Sequence, residues 1–418
     1  MRCVLSSLGN GFVLPLVPAL FLAFALLLGC DGEPEPTRLK VVISSPGGSM
    51  GDSYRQGINA AITEWRENAP SLQIEPVYRE TLFLRRGQRR QQDPAESPWE
   101  RALRLERETA EAAAADPEVV AYIGPGMSEQ AKISLPILNR AGIPQISTTA
   151  TWPGLTEAGF GPGEPGMYYP SGRTHFFRLV PHDGYQATAA ARWCIEMGYE
   201  RIFVVHSSGV YSLGYVGIFT EAINDADLEI IGHYSWNPHS ASPEELLKVV
   251  ESIVEASPDV LYLADNSGRH TVRLLEELGA RAPQLPVMAP DYLMRIEYRW
   301  RWTRPPQLTL LTTSPSSPEH FQWSTPGGSD FRERFVDLYL REPDLEAAKG
   351  YDAMSIVLHA LTGATDRSRE GLMEAIRSSE GHPGLFGSIA FDRSGDPRET
   401  SIYGYRLGES GWVHEVTL

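Results

Sequence analysis

The sequence predicts an α/β protein made of two doubly wound parallel-sheet lobes. Short, continuously apolar segments such as LKVVIS (39–44) and DVLYLA (259–264) alternate with amphipathic stretches of helical length. This alternation runs through two consecutive series and ends after residue 312. Parallel strands that are covered by helices on both faces are apolar throughout, so each series is typical of one doubly wound sheet.

The first series covers residues 39–147 and consists of four expected strands with three helices between them. Its expected strands are 39–44, 72–78, 118–123 and 143–147, and its expected helices are 52–67, 98–115 and 128–141. The helix at 98–115 carries a stripe of small or apolar side chains at Ala102, Leu105, Thr109 and Ala112, and Asp116-Pro117 ends it. Apolar spacing of three or four residues favours a helix with one buried face.

The second series begins near residue 184. Its expected helices are 184–197, 213–225, 243–256 and 268–279, and its expected strands are 201–206, 228–234, 259–264, 285–289 and 307–312. Helices at 328–341, 350–363 and 369–379 then follow without strands between them, and residues 386–416 read as three β segments separated by Gly/Asp turns. The chain therefore returns to lobes that it has already built.

The first 29 residues are predicted to be an export signal. Residues 11–28 are uncharged and strongly apolar, Pro15 and Pro18 disfavour a retained membrane helix, and the ending LLGC resembles a bacterial lipobox. On this interpretation Cys30 carries the lipid, and residues 30–38 form a polar, proline-rich linker. A signal peptide with an incidental cysteine is the alternative.

Composition excludes several classes of function. A net charge of −16 makes nucleic acid an improbable partner. The three cysteines are Cys3 in the signal, Cys30 at the lipid site and Cys194. No disulfide can form inside the exported domain, and Cys194 is interpreted as a buried helix residue. We expect no cofactor and no metal.

The stretch PGGSMGD (46–52) raises the question of an enzyme, because it contains the G-x-S-x-G pattern of a nucleophile elbow. The strand before Ser49 is the first of the exported chain, so no earlier segment can supply an oxyanion loop. The sequence therefore favours a loop that turns around a ligand at the carboxyl end of a strand. A serine hydrolase remains an alternative.

Other segments resemble the type-I periplasmic binding proteins, above all the branched-chain amino-acid binding lipoproteins of ABC importers. The resemblance covers about residues 38–415. Three of the segments that carry it are AYIGPGMSEQAKISLPILNRAGIPQISTTATWPGLT, RIFVVHSSGVYSLGYVGIFTEAI and KGYDAMSIVLHAL. It implies two lobes joined by three crossover segments, with lobe 1 at 39–178 plus 311–385 and lobe 2 at 179–310 plus 386–418.

The resemblance also implies a ligand site. Ser128 matches a serine that binds the ligand carboxylate, with an ordinary helix cap as its other interpretation. Thr149 and Thr151 match a loop that contacts both ends of an amino acid. Tyr211 matches a tyrosine whose ring covers the ligand, and Asp291 matches an acidic residue that pairs with the ligand's ammonium.

Two positions depart from the family pattern. Met50 stands where an aromatic residue is common, and Asn266 stands where a tyrosine is common. Trp152 could fill side-chain space, and the segments 83–99 and 159–173 are insertions whose role is open. These departures leave the identity of the ligand open.

The implied function is that of a lipid-anchored solute-binding protein that is not an enzyme. It would hand an amino acid or a similar small ligand to an ABC permease. A sensor or regulatory lipoprotein of the same fold, acting on a membrane or cell-wall partner, is the alternative.

Overall fold

The protein is described from a computed structural model that covers residues 38–69, 73–82, 96–236, 242–265, 268–295 and 307–418. The expected signal, the lipid site Cys30, Asn266 and most of the 83–99 insertion lie outside these ranges. Contacts group Arg38–Leu418 into one unit.

The first lobe is built on a five-stranded sheet in which every pair of neighbouring strands is parallel. The strand order is β2-β1-β3-β4-β5. The strands are β1 Arg38–Pro46, β2 Gln73–Leu82, β3 Val119–Ile123, β4 Gln145–Ser147 and β5 Phe176–Arg178. Helices α1 Gly48–Asn68, α2 Pro98–Ala115 and α3 Ser128–Arg140 connect them.

The second lobe is built on a seven-stranded sheet with the order β14-β13-β10-β9-β8-β6-β7. Its parallel strands are β6 Arg201–Ser207, β7 Glu229–Trp236, β8 Val260–Ala264, β9 Pro286–Pro290 and β10 Thr309–Ser314. Its helices are α4 Asp183–Glu196, α5 Val210–Asp225, α6 Pro243–Ala256 and α7 Arg269–Arg281. Two antiparallel strands, β13 Tyr403–Gly408 and β14 Gly411–Thr417, form one edge. The predicted fold class of two doubly wound lobes is confirmed.

The chain between β10 and β13 returns to the first lobe. Helices α8 Pro318–Gln322, α9 Pro326–Tyr339, α10 Leu345–Gly363 and α11 Arg369–Ser378 precede a small hairpin of β11 His382–Gly384 and β12 Gly387–Ile389. Met354 and Val357 of α10 share one buried core with Val41 and Ile43 of β1. Two expectations were wrong in detail: α1 begins at Gly48 rather than 52, and α10 begins at Leu345 rather than 350. The three β segments predicted within 386–416 are confirmed as β12 and the strands Tyr403–Gly408 and Gly411–Thr417.

Three segments connect the lobes, after β5, after β10 and before β13. The expected boundary at residue 311 lies inside β10, which pairs with β9 of the second sheet. Phe391 packs in the first-lobe core, and the carbonyl of Gly395 accepts a hydrogen bond from the Arg178 amide at 3.0 Å. We therefore propose that the second crossover follows Ser314 and that the third follows Arg398.

Within the described ranges, no helix combines the length and apolarity needed to cross a membrane.

Cys194 is fully buried in the second-lobe core, and this burial raises the pKa of its thiol to about 12. Because the thiolate is the reactive form, we expect a Cys30→Ser protein that begins at residue 30 to resist thiol labelling in native buffer. The same protein should label fully in denaturant. Native labelling at the rate of a free cysteine would contradict the buried placement.

Candidate ligand-binding cleft

Ser128 begins α3 directly after the turn that follows β3. Its side chain is buried, and its Oγ accepts a hydrogen bond from the Trp152 amide at 3.1 Å. The Ser128 hydroxyl therefore retains its own proton for donation. Together with the unpaired amides and positive dipole of a helix N-terminus, this proton suits a carboxylate.

The two threonines of the next loop have different surroundings. Thr149 donates its hydroxyl to the carbonyl of Gly126 at 3.0 Å, so this hydroxyl holds two loops together. The carbonyl of Thr151 accepts the amide of Asp183 at 2.9 Å, which ties the loop to the start of α4. Thr151 therefore lies beside Asp183, whereas the hydroxyl proton of Thr149 is already used.

Asp183 is the first residue of α4 and is almost completely buried. Neither carboxylate oxygen has a hydrogen-bond partner among the described residues. Burial raises the pKa of Asp183 to about 8, although the nearby hydroxyls of Thr151 and Tyr215 and the charge of Arg178 favour the ionised form. These hydroxyls approach the carboxylate without making hydrogen bonds of normal geometry. A buried carboxyl group without partners costs free energy, so it marks a place where a cationic ligand would be stabilised.

Helix α5 of the second lobe approaches this group closely at Gly214. A Cβ atom built there would lie 3.2 Å from Asp183 Oδ2 and 3.2 Å from the Trp152 ring. A larger side chain at Gly214 would therefore push against both groups, one of them on the first lobe.

Tyr211 and Asp291 face each other on the second lobe. Tyr211 lies in the first turn of α5, and its hydroxyl donates to Asp291 Oδ1 over 3.4 Å, a long and weak contact. The Tyr211 ring packs edge-on against Tyr215 at 4.8 Å, and the Tyr215 hydroxyl donates to Gln186 at 2.6 Å. The negative charge of Asp291 raises the pKa of Asp183, which places the two acids in one electrostatic environment.

A salt bridge connects the two lobes at a second place. Arg295 follows Asp291 on the second lobe and pairs with Glu346 of α10 at 2.7 Å, so the pair joins the two lobes. The charge of Glu346 raises the pKa of Arg295. Lys349, one turn along α10, has its pKa lowered by burial and lies 3.7 Å from Glu346.

The lobes also contact each other next to Ser128. Burial raises the pKa of Glu129 in α3, and the nearby backbone amide of Val210 in α5 opposes this shift by favouring the ionised carboxylate. Since α3 belongs to the first lobe and α5 to the second, the two lobes approach each other beside Ser128.

Four of the residues singled out in the sequence therefore fall into two pairs. Ser128 and Thr151 are joined by hydrogen bonds to the backbone of Trp152 and Asp183, and Tyr211 is joined to Asp291. The charge of Asp291 acts on Asp183, which relates the two pairs electrostatically. Met50 is half-buried in the first turn of α1 at the carboxyl end of β1. Ser49 beside it is exposed, and Asn266 lies outside the described residues.

Sequence reasoning missed Asp183, Arg295, Glu346 and Lys349. An acidic residue in the first turn of a helix is common and stabilising. The segment VPHDGY (180–185) therefore did not indicate that the carboxyl group of Asp183 lacks a partner. The 159–173 insertion also has a role that its composition did not indicate. Its Glu164 accepts the Trp152 indole N–H at 2.8 Å and pairs with Lys132 at 2.9 Å, and the Lys132 ammonium stands 4.2 Å over the Trp152 ring.

Replacing Ser128 with alanine is expected to weaken binding of a carboxylate ligand by about 10- to 100-fold, the effect of losing one charge-assisted hydrogen bond of about 1.5–3 kcal/mol. Titration calorimetry would measure this loss. Thr149→Ser, which keeps the hydroxyl bound to Gly126, is the matched control and should bind like the wild type. Equal affinity in Ser128→Ala would remove this hydroxyl from the site.

Comparison with known proteins identifies one family. The family described as periplasmic binding protein matches residues 105–411. The fold is similar to a substrate-binding protein of Desulfitobacterium hafniense solved with Leu, at 20% identity and a TM-score of 0.69 over 90% of this chain and 100% of that one.

Two further structures are similar. A leucine-binding protein of Thermotoga maritima aligns at 19% identity and a TM-score of 0.69, covering 91% of this chain and 98% of that one. A solute-binding protein of R. palustris in complex with benzoate aligns at 17% identity and a TM-score of 0.68, covering 91% and 96%.

A curated relative, metabotropic glutamate receptor 6 of Oryctolagus cuniculus, is 31% identical over 144 residues. This match covers 34% of the present chain, which spans only 15% of the receptor's length.

Proposed function

Because the chain belongs to the periplasmic binding protein family, we propose that it captures an amino acid between its two lobes and delivers it to an ABC importer. The family supports solute binding outside the cytoplasm, and the choice of an amino acid rests on the cleft. The observation that carries this choice is the buried carboxyl group of Asp183, which lacks a hydrogen-bond partner among the described residues and lies within the electrostatic reach of Asp291.

The two ends of an amino acid match the two kinds of group in the cleft. The acids Asp183 and Asp291 would hold the ammonium, and the hydroxyl of Ser128 with the first amides of α3 would hold the carboxylate. Tyr211 would cover the ligand from the second lobe. A ligand without the amine would leave the buried carboxyl group of Asp183 unpaired, which is how such a site rejects it.

Binding would be coupled to closure, since each lobe supplies part of these contacts. The carboxylate donors belong to the first lobe, and Tyr211 and Asp291 belong to the second. A ligand that touches both halves stabilises the closed arrangement by its differential affinity for it.

Cys30 is proposed as the lipid anchor, so that the domain is tethered to the membrane on its outer or periplasmic side. A sensor or regulatory lipoprotein of the same fold is the second candidate. It would bind a ligand in the same way but act on a membrane or cell-wall partner. A permease gene beside this one would favour transport.

A thermal unfolding scan tests the proposal. The panel contains the twenty L-amino acids, their deaminated acids and benzoate, because the names of relatives include leucine, glutamate and benzoate. A ligand at 100 times its Kd should add about 2.7 kcal/mol to the free energy of unfolding. At least one amino acid should raise the Tm while its deaminated form does not. Stabilisation by benzoate or deaminated acids alone would contradict the proposed amine site.

Ester hydrolysis that is lost in Ser49→Ala would instead revive the hydrolase interpretation.

A further inference from the structure

A second cavity, of about 340 Å³, lies against all three segments that connect the lobes. We call it the hinge cavity. Its wall includes Leu179–Pro181 after β5, Pro315–Ser317 after β10 and Glu399 with Ser401 before β13. The residues to which the proposed function assigns the amino acid, Ser128, Asp183, Tyr211 and Asp291, are not part of this wall, whereas Lys349, described above beside Glu346, is part of it. Its volume is within the range of small-molecule sites, about 300–1,000 Å³.

Most of the remaining wall comes from the first lobe. Helix α10 contributes Lys349 and Asp352 on adjacent turns, and the β11–β12 hairpin contributes Phe386 and Ile389. The cavity therefore has an apolar side and a polar side, as sites that orient a small ligand usually do.

Lys349 offers hydrogen-bond donors and Asp352 offers carboxyl oxygens to an occupant. Asp352 Oδ1 accepts the amide of Leu385 at 2.9 Å, and no partner is recorded for Oδ2 among the described residues. The Lys349 ammonium is 3.7 Å from its nearest acid, Glu346, which is too long for a hydrogen bond. Both groups thus keep unused hydrogen-bonding capacity.

His320 adds a neutral donor. Its Nδ1 accepts the Ser317 amide at 3.2 Å, so the remaining proton of the neutral ring is on Nε2. Burial lowers the pKa of His320 to about 4, which keeps the ring neutral at pH 7. Its ring is stacked on Phe386 with centroids 4.0 Å apart, which fixes the orientation of the ring.

We propose that the hinge cavity is a second binding site, for a small carboxylate that also carries a hydroxyl or amino group. Lys349 Nζ and His320 Nε2–H would hold the carboxylate, and Asp352 Oδ2 would accept the second polar group. Phe386 and Ile389 would pack against the carbon skeleton.

An occupant of this cavity would regulate the cleft. Hinge motion changes the backbone of the connecting segments, and the occupant would touch all three of them. Its affinity would then differ between open and closed arrangements, and by linkage it would change the affinity of the cleft for its own ligand. An occupant that prefers the closed arrangement is thus expected to raise the affinity of the cleft for its own ligand.

The experiment separates this site from the amino-acid cleft by using the Asp183→Asn protein, in which the proposed amine site is disabled. Glycolate, L-lactate, L-malate and L-serine are the probes, and ligand-observed NMR and calorimetry report binding. We expect at least one probe to bind Asp183→Asn at one equivalent. Adding Asp352→Asn, or Ser388→Phe at the exposed edge of the cavity, should weaken that binding at least tenfold, or about 1.4 kcal/mol.

Two results would overturn the proposal. One is that none of the four probes binds Asp183→Asn at about 10 mM, a concentration that would reveal even a weak site. The other is binding that neither added substitution weakens, which would place the probe elsewhere. Ser388→Phe guards against a folding defect of Asp352→Asn, because Ser388 is exposed. Neither result depends on whether the cleft binds an amino acid.

Discussion

Replacing Asp183 with asparagine is expected to weaken amino-acid binding strongly and yet to stabilise the unliganded protein at pH 8. Loss of one member of a buried charge pair with a ligand costs about 2–5 kcal/mol, so affinity should fall by at least about 30-fold. In the absence of ligand the same carboxylate is buried without partners, and asparagine removes a charge that burial disfavours. The two effects therefore have opposite signs.

The stabilisation should depend on pH in a defined window. Folding raises the pKa of Asp183 to about 8 from about 3.9 in an unfolded chain. Between these values the folded state holds a proton that the unfolded state has lost, so the stability of the wild type falls as the pH rises, by at most about 1.4 kcal/mol per unit for this group. Below about pH 4 the wild type and Asp183→Asn should differ least.

Urea unfolding at pH 5, 6, 7 and 8 measures this difference. Asp330→Asn, on the exposed face of α9, removes one acidic charge far from buried surroundings and is the matched control. A gap between wild type and Asp183→Asn that does not change with pH would show that Asp183 is not titrating in the folded protein.

Replacing Arg178 with methionine is the substitution expected to destabilise the protein most. Arg178 is fully buried at the end of β5, and its Nε donates to Asp396 Oδ1 at 2.5 Å. Its Nη1 donates to the carbonyls of Ala150 at 3.2 Å and Trp152 at 3.0 Å. Breaking a buried pair leaves Asp396 uncompensated, and the expected loss is about 3–5 kcal/mol of unfolding free energy.

The same substitution should also weaken ligand binding, because Arg178 holds the loop that carries Thr151 and Trp152. Urea unfolding and calorimetry would report the two effects. Arg192→Met, which breaks an exposed pair with Glu196 at 2.8 Å, is the control and should change stability by less than about 1 kcal/mol. Adding Asp396→Leu to Arg178→Met should restore part of the loss. A double variant no more stable than Arg178→Met would argue against the buried charge as the cause.

Sequence patterns predicted those parts of the fold that depend on long apolar periodicity. Strand β8 and helix α2 lie within one residue of their predicted bounds because each has an uninterrupted pattern and a clear end. Strand β5 was not predicted as a strand, since it has only three residues and one of them is Arg178. Its burial depends on Asp396, 218 positions away, which no local pattern shows.

Helix α10 shows a similar limit. The predicted helix start at 350 falls on Gly350, a residue type that weakens a helix interior. In the structure Asp344 caps the helix by accepting the Ala347 amide at 3.0 Å, and Gly350 is needed because a Cβ there would lie 2.4 Å from the Tyr54 carbonyl oxygen. The earlier start brings Glu346 and Lys349 onto one helix beside Arg295. Their role at the lobe interface is therefore a tertiary property.

The most direct test of the central claim is a crystal structure grown with the L-amino acid that gives the largest thermal shift. We predict one molecule enclosed by both lobes, with its ammonium about 3 Å from Asp183 and Asp291 and its carboxylate at Ser128. A ligand bound to one lobe alone, or with its ammonium away from both acids, would contradict it.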